Sequence, residues 1–110
     1  TGQHLGGLIA PGLRMMTQAL IADTALLNDV QHPTQMRLGT FTGQAIANGT
    51  LLSAVGLIEA TVARWAPNAR LILTGGDAEM VMEALSLDAR LDRLLVFKGL
   101  ALVCAGADAS

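Results

Sequence analysis

Two adjacent glycines, Gly75 and Gly76, separate a short apolar run, Leu71-Ile72-Leu73, from a segment in which Met80, Val81, Ala84 and Leu85 keep helical spacing. A backbone without Cβ atoms at such a junction lets a flat ligand approach closely, and the start of a helix adds partial positive charge. Nucleotide binding is the chemistry that this pattern suits. Asp77 follows as a suitable N-cap, because its carboxylate can accept an N–H that the first helical turn leaves unpaired. The same residues equally suit a plain turn between strand and helix, with glycines there for close packing. No lysine completes a G-x-x-x-x-G-K-[ST] phosphate loop, and no G-x-G-x-x-G fingerprint is present.

Other residue types capable of chemistry are few and scattered. The single cysteine, Cys104, has no internal disulfide partner, and His4 and His32 lie far apart without zinc-type spacing, so both read as surface residues and no metal site is expected. Asp23, Asp29, Glu59 and Asp77 fall on different predicted elements with no evident pairing. A net charge of −2 and a lone lysine, Lys98, leave no basic stripe for a phosphate backbone, which argues against nucleic acid. The opening residues lack the pattern of a signal peptide, and with one cysteine this fits a reducing cytoplasm. Because the chain begins at Thr1 rather than Met, it reads as the carboxy-terminal part of something longer.

The elements that must position these residues alternate as in an α/β domain. His4 to Ala10 reads as a strand containing Gly6-Gly7. Pro11 opens a helix with Met15, Ala19, Ala22 and Leu26 on a core-facing side. Residues 28–38 read as a long loop holding Asp29, His32 and Pro33. After the strand at 71–73 and a helix over 78–86, residues 88–93 read as a charged, solvated connector. Leu94 to Phe97 reads as a strand leading through Lys98-Gly99 into an apolar helix from Leu100 to Cys104, and a small polar tail follows.

Thr42 to Trp65 is predicted as the longest helix, with two opposed stripes. Leu51, Val55, Ile58, Val62 and Trp65 form a wide apolar face for a core. Ala45, Gly49, Ser53, Gly56, Ala60 and Ala63 form a flat face opposite. Interior glycine costs a helix roughly 1 kcal/mol relative to alanine, so Gly49 and Gly56 call for a close contact, either with another helix of this chain or with a second copy across a two-fold axis. The uncharged window from Leu38 to Ile58 has the length of a membrane span. Gln44, Asn48, Ser53 and three threonines make it too polar to read as one.

Four segments in order, His4-Leu5-Gly6-Gly7-Leu8-Ile9-Ala10-Pro11-Gly12, then Thr42 with Ala45-Ile46 and Gly49, then Leu73-Thr74-Gly75-Gly76-Asp77-Ala78, then Leu95-Val96-Phe97-Lys98-Gly99-Leu100, resemble the carboxy-terminal half of type III pantothenate kinases, the family that includes Bvg accessory factors. The resemblance implies the fold of the sugar kinase, actin and heat-shock ATPase superfamily, in which two RNase H-like domains clasp ATP. Residues 1–110 would be most of the second domain without its opening strand, and the first domain would lie outside this chain. It further implies phosphorylation of pantothenate by ATP to 4′-phosphopantothenate, the first step towards coenzyme A. A divalent cation such as Mg and a monovalent one, K or ammonium, would assist a homodimer. By resemblance Gly75 and Gly76 belong to the adenosine side and Thr42 to the pantothenate site near the dimer interface. A hydroxyl there can bond a polar substrate, or it can simply cap the helix.

Departures from the family pattern bound what the chain can do. The segments D-x-G-N-T-x-x-K, G-x-D-R with the catalytic aspartate, and D-x-G-T-A are absent, and Phe41 stands where the family commonly has a polar residue. No catalytic residue is therefore assigned, and the chain alone is expected to be inactive, since phosphoryl transfer needs phosphates, metal and nucleophile fixed in line. A second reading is a non-catalytic accessory protein of the same family that associates through the small-residue helix face. A third is an unrelated α/β module in which the glycine pair is only a turn.

Overall fold

A computed structural model describes residues 3–22 and 36–105 of the chain, without the side chains of the last two. Its elements are α1 (Leu13–Ile21), α2 (Thr42–Trp65), β1 (Leu71–Leu73), α3 (Ala78–Ala84), β2 (Ala89–Leu91) and α4 (Leu95–Ala105). They fall into two compact units, Thr1–Ala54 and Val55–Ser110, with α2 running from one into the other.

In the first unit the segment before α2 is fastened to its opening turns. Gln44 Oε1 accepts the backbone N–H of Thr40 at 2.9 Å and its hydroxyl at 3.2 Å, so a side chain from inside the helix reaches back over its start much as a capping box does. Asn48, buried one turn later, donates from Nδ2 to the Arg37 carbonyl at 3.0 Å. Gly39 fits between these two bonds so closely that a Cβ there would collide with backbone atoms of Gln44 and Ala45. Among the described residues of this unit, Leu13, Ala47 and Leu51 are the buried hydrophobic side chains.

The second unit is built on a β1–α3–β2 crossover. β1 and β2 pair in parallel, Leu71 opposite Ala89, Ile72 opposite Arg90 and Leu73 opposite Leu91, and the Asp92 N–H extends the ladder to the Leu73 carbonyl at 2.9 Å. Period-two alternation turns Leu71, Leu73, Ala89 and Leu91 inward and leaves Ile72 and Arg90 exposed. α3 packs on β2. Val55, Ala78 and Val81 form the buried core, Val55 at only 1% exposure. Glu59 of α2 accepts the Ser86 hydroxyl at 2.6 Å and the Ser86 N–H at 2.9 Å, which ties the end of α3 to the long helix.

Helix α2 keeps the expected bounds, and it is long and apolar enough by length and composition to cross a bilayer. Three of its hydroxyls turn back on the helix itself: Thr50 donates to Ala47, Ser53 to Gly49 and Thr61 to Leu57. The apolar stripe is buried at Leu51 and Val55 and half-buried at Ile58 and Val62. It does not reach Trp65, which is 58% exposed under the Arg64 guanidinium, 5.5 Å from the ring centre. On the opposite stripe, a Cβ at Gly49 or Gly56 would meet nothing within 4 Å, so no helix among the described residues makes the close approach that their presence suggests.

Other expectations are corrected by the structure. Residues 4–10 form no strand: they are exposed, Gly6 takes φ +134, and no neighbouring strand lies against them among the described residues. Helix α1 starts at Leu13 behind Gly12, with Pro11 outside it, and buries only Leu13 while Met15 stays 64% exposed. Residues 88–93 are not a connector, for β2 lies within them. Leu94 to Phe97 is not a strand, because α4 runs through Lys98 and Gly99 without a break. Asp92 explains that start: its carboxylate accepts the Leu94 N–H at 3.1 Å and pairs with Lys98 Nζ at 2.9 Å, fixing the first turn of α4. The reading of His32, Asp29 and Asp23 falls outside the described residues, as does the tail from 106 onward.

Candidate functional site

The glycine turn after β1 is the first candidate. Leu73 ends the strand, Gly75 takes φ +107 and the chain enters α3 at Ala78, the Ala78 N–H bonding the Gly75 carbonyl at 3.3 Å. Positive φ explains why position 75 favours glycine. No atom lies within 4 Å of where a Cβ would stand on either glycine, so the turn offers an open approach to its backbone. Asp77 holds the N-cap position, but its backbone is turn-like (φ −98, ψ 4) and its carboxylate makes no capping bond, which corrects that expectation.

The carboxyl ends of β1 and β2, where open α/β sheets present ligands, bring further polar groups beside this turn. Glu79 in the first turn of α3 pairs with Arg93 just past β2 at 2.7 Å. Asp92 sits one residue earlier, 15% exposed, and the Lys98 ammonium, aided by the Leu94 N–H, holds its carboxyl below the usual range. Glu59 is likewise depressed, first by the Ser86 hydroxyl and then by the Ser86 N–H. Each of these carboxylates is engaged in tying elements together. An open depression of about 360 Å³ lies at the opposite, amino-terminal edge of the sheet, lined by residues 69–72 and 88–90, away from the glycine turn.

Thr42, the second candidate, is the first residue of α2 and is exposed. Phe41 supplies the carbonyl that receives the first helical bond, from the Ala45 N–H at 2.9 Å. Gln44 fastens the residue ahead of this end, and the Thr42 hydroxyl makes no hydrogen bond among the described residues, so it is not the helix cap. Thr42 belongs to the first unit and Gly75-Gly76 to the second. The residues that fix Thr42 in place, Gly39, Gln44 and Asn48, escaped the sequence reading. A T-x-x-x-Q spacing across a helix start was the available signal for Gln44. Among the described residues no group of three or more His, Cys, Asp or Glu could share a metal ion.

Fold and site thus define an α/β chain with an open strand–glycine turn–helix element and an exposed threonine at the head of a long helix. Residues 1–64 match the family model described as type III pantothenate kinase. Proteins named type III pantothenate kinase align with nearly the whole chain: one from Pseudomonas aeruginosa (strain LESB58) is 36% identical over 112 residues, covering 94% of this chain and 45% of that protein. One from Pseudoalteromonas translucida is 35% identical over 101 residues, covering 90% and 43%. One from Burkholderia multivorans is 36% identical over 125 residues, covering 98% and 46%. The chain belongs to the type III pantothenate kinase family, as its four ordered motifs indicate, and it spans about half the length of the curated relatives it matches.

Proposed function

We propose that this chain is the carboxy-terminal portion of an ATP-dependent kinase that converts pantothenate to 4′-phosphopantothenate in the cytoplasm. The observation that carries the reading is the family match over residues 1–64, joined to a glycine turn whose backbone stands open at the carboxyl end of a parallel strand pair. In this reading the chain is the second RNase H-like domain without its opening strand. Gly75 and Gly76 lie along the adenosine of ATP, and the unengaged Thr42 hydroxyl bonds pantothenate. In this reading the phosphate loops and the catalytic aspartate lie outside this chain, and ATP is used with Mg and with K or ammonium. The chain alone is then inactive. Dimerisation uses the Ala45, Gly49, Ser53, Gly56 and Ala60 face of α2, with neither nucleic acid nor membrane as partner.

The exposed small-residue face also favours a second reading, a dimerising accessory protein of the family without catalysis. Pantothenate-dependent release of ADP by the polypeptide made from its own start codon separates the two. Turnover supports the kinase. A stable dimer that neither binds ATP nor releases ADP refutes it and leaves the accessory protein.

A further inference from the structure

Phe41 stands immediately ahead of α2, where its carbonyl takes the first helical bond from the Ala45 N–H at 2.9 Å. That position favours Ser, Thr, Asp or Asn, whose side chains cap the free N–H groups of the first turn, and a phenyl ring caps nothing. Nor does the ring serve the core. It is 47% exposed, and among the described residues it stacks on no other ring or cation.

The backbone that carries this ring is held firmly. The Thr40 N–H and hydroxyl both bond Gln44 Oε1, at 2.9 and 3.2 Å, so residues 41–43 lie between two fastened points. Asn48, one turn further on, holds the Arg37 carbonyl at 3.0 Å. A ligand meeting Phe41 therefore has little backbone to order. Thr42, whose Cα lies about 3.8 Å along the chain, is exposed and keeps its hydroxyl unengaged among the described residues. The head of α2 thus offers an exposed ring and an exposed hydroxyl on neighbouring residues of one fixed support.

A small molecule that matches this pair carries apolar carbon next to hydrogen-bonding groups. Pantothenate is built in that way: a carbon bearing two methyl groups sits between two hydroxyl-bearing carbons, with an amide beyond. We propose that Phe41 is a specificity-determining residue of the pantothenate site, its ring lying against the two methyl groups while the Thr42 hydroxyl bonds the polar group beside them. The proposal rests on the reading above that Thr42 binds pantothenate. Taking one methyl group out of water is worth about fourfold in affinity, so two fully buried are worth about 15-fold, and a ring covering one side supplies about fivefold.

The test uses the polypeptide expressed from its own start codon, as the parent and as Phe41→Leu and Phe41→Asn. In each, kcat/KM is measured for pantothenate and for its analogue lacking both methyl groups. Asparagine caps a helix better than phenylalanine, so Phe41→Asn should unfold at no lower urea than the parent, and calorimetric titration of both compounds reads the same ratio where turnover is slow. The parent's preference for pantothenate should fall about fivefold in Phe41→Asn and be largely kept in Phe41→Leu, with KM for ATP unchanged. Any effect of the missing methyl groups on the ligand's own shape is common to all three proteins and cancels. An unchanged preference in Phe41→Asn overturns the inference, and so does an equal loss of both compounds, which would give the ring to a protein contact instead. If the parent phosphorylates pantothenate, either result leaves the functional reading standing and removes Phe41 alone. A parent that neither binds nor phosphorylates pantothenate sinks both.

Discussion

Replacing Gly39 with alanine should destabilise the polypeptide by about 2–4 kcal/mol, although it adds a single methyl group at a half-buried position. A Cβ at this position would stand 2.8 Å from the Gln44 carbonyl carbon and closer still to the Ala45 backbone. All three atoms belong to the first turn of α2 and cannot rotate aside as a side-chain tip could. The segment from Arg37 to Thr40 must therefore retreat from the helix. That retreat stretches the Asn48 to Arg37 bond of 3.0 Å and the Thr40 to Gln44 bond of 2.9 Å together. Asn48 is 7% exposed, and a buried amide that loses its partner costs about 1–3 kcal/mol, in addition to the strain of overpacking. Urea unfolding of the parent and Gly39→Ala polypeptides reads the loss as a lower midpoint at unchanged slope. Gly99→Ala is the internal control: it lies inside α4 with nothing within 4 Å of the new Cβ, and it should gain about 1 kcal/mol. A Gly39→Ala loss below about 0.5 kcal/mol would show that the segment yields freely and would refute the clamp.

The Lys98 partner lowers the Asp92 carboxyl from its ordinary 3.8, so the stability it contributes is present above that value and lost as pH falls through the depressed one. The parent should therefore unfold at higher urea than Asp92→Asn at pH 7, and the gap should close in acid; a gap unchanged at about pH 3 would remove the pair from the start of α4. Gly75→Ala should cost roughly 1–2 kcal/mol from its φ of +107 alone, while Gly76→Ala, with ordinary φ and open space, should leave stability almost unchanged in the same urea titration. Thr42→Ala should weaken pantothenate binding more than ATP binding in calorimetric titrations of the complete enzyme, and equal affinities would withdraw Thr42 from the site. A Cβ at Gly56 meets nothing within 4 Å, so Gly56→Leu should leave the monomer folded and abolish dimers in sedimentation, and a dimer sedimenting unchanged would dismiss that face.

Where a local pattern and a packed environment agree, the fold was legible. Helix α2 and β1 were read with their observed bounds because 3.6-residue periodicity and a turn-bounded apolar run leave few alternatives. β2 was missed although Leu87-Asp88-Ala89-Arg90-Leu91-Asp92 alternates strictly, because charges at every second position look like a solvated connector until Leu73 is seen beside Leu91. Leu95-Val96-Phe97 is as apolar as a buried strand, and only the bonds of Asp92 to Leu94 and Lys98 decide that it coils. At the candidate site, the glycine pair and Thr42 stood out by residue type. Their supporting residues did not, since Gly39 and Asn48 act through a contact and a bond that close only after the chain has turned back on α2.

The hydroxyl of Ser53, turned back onto the Gly49 carbonyl at 2.8 Å, has a consequence for whatever rests on that side of α2. It is the one polar side chain in a row otherwise made of Ala45, Gly49, Gly56, Ala60 and Ala63, and its proton is already committed within the helix. Such a surface carries neither charge nor a spare donor to advertise itself at a distance. A partner that uses this face, as proposed above, would be held by fit alone, indifferent to ionic strength and to acidity.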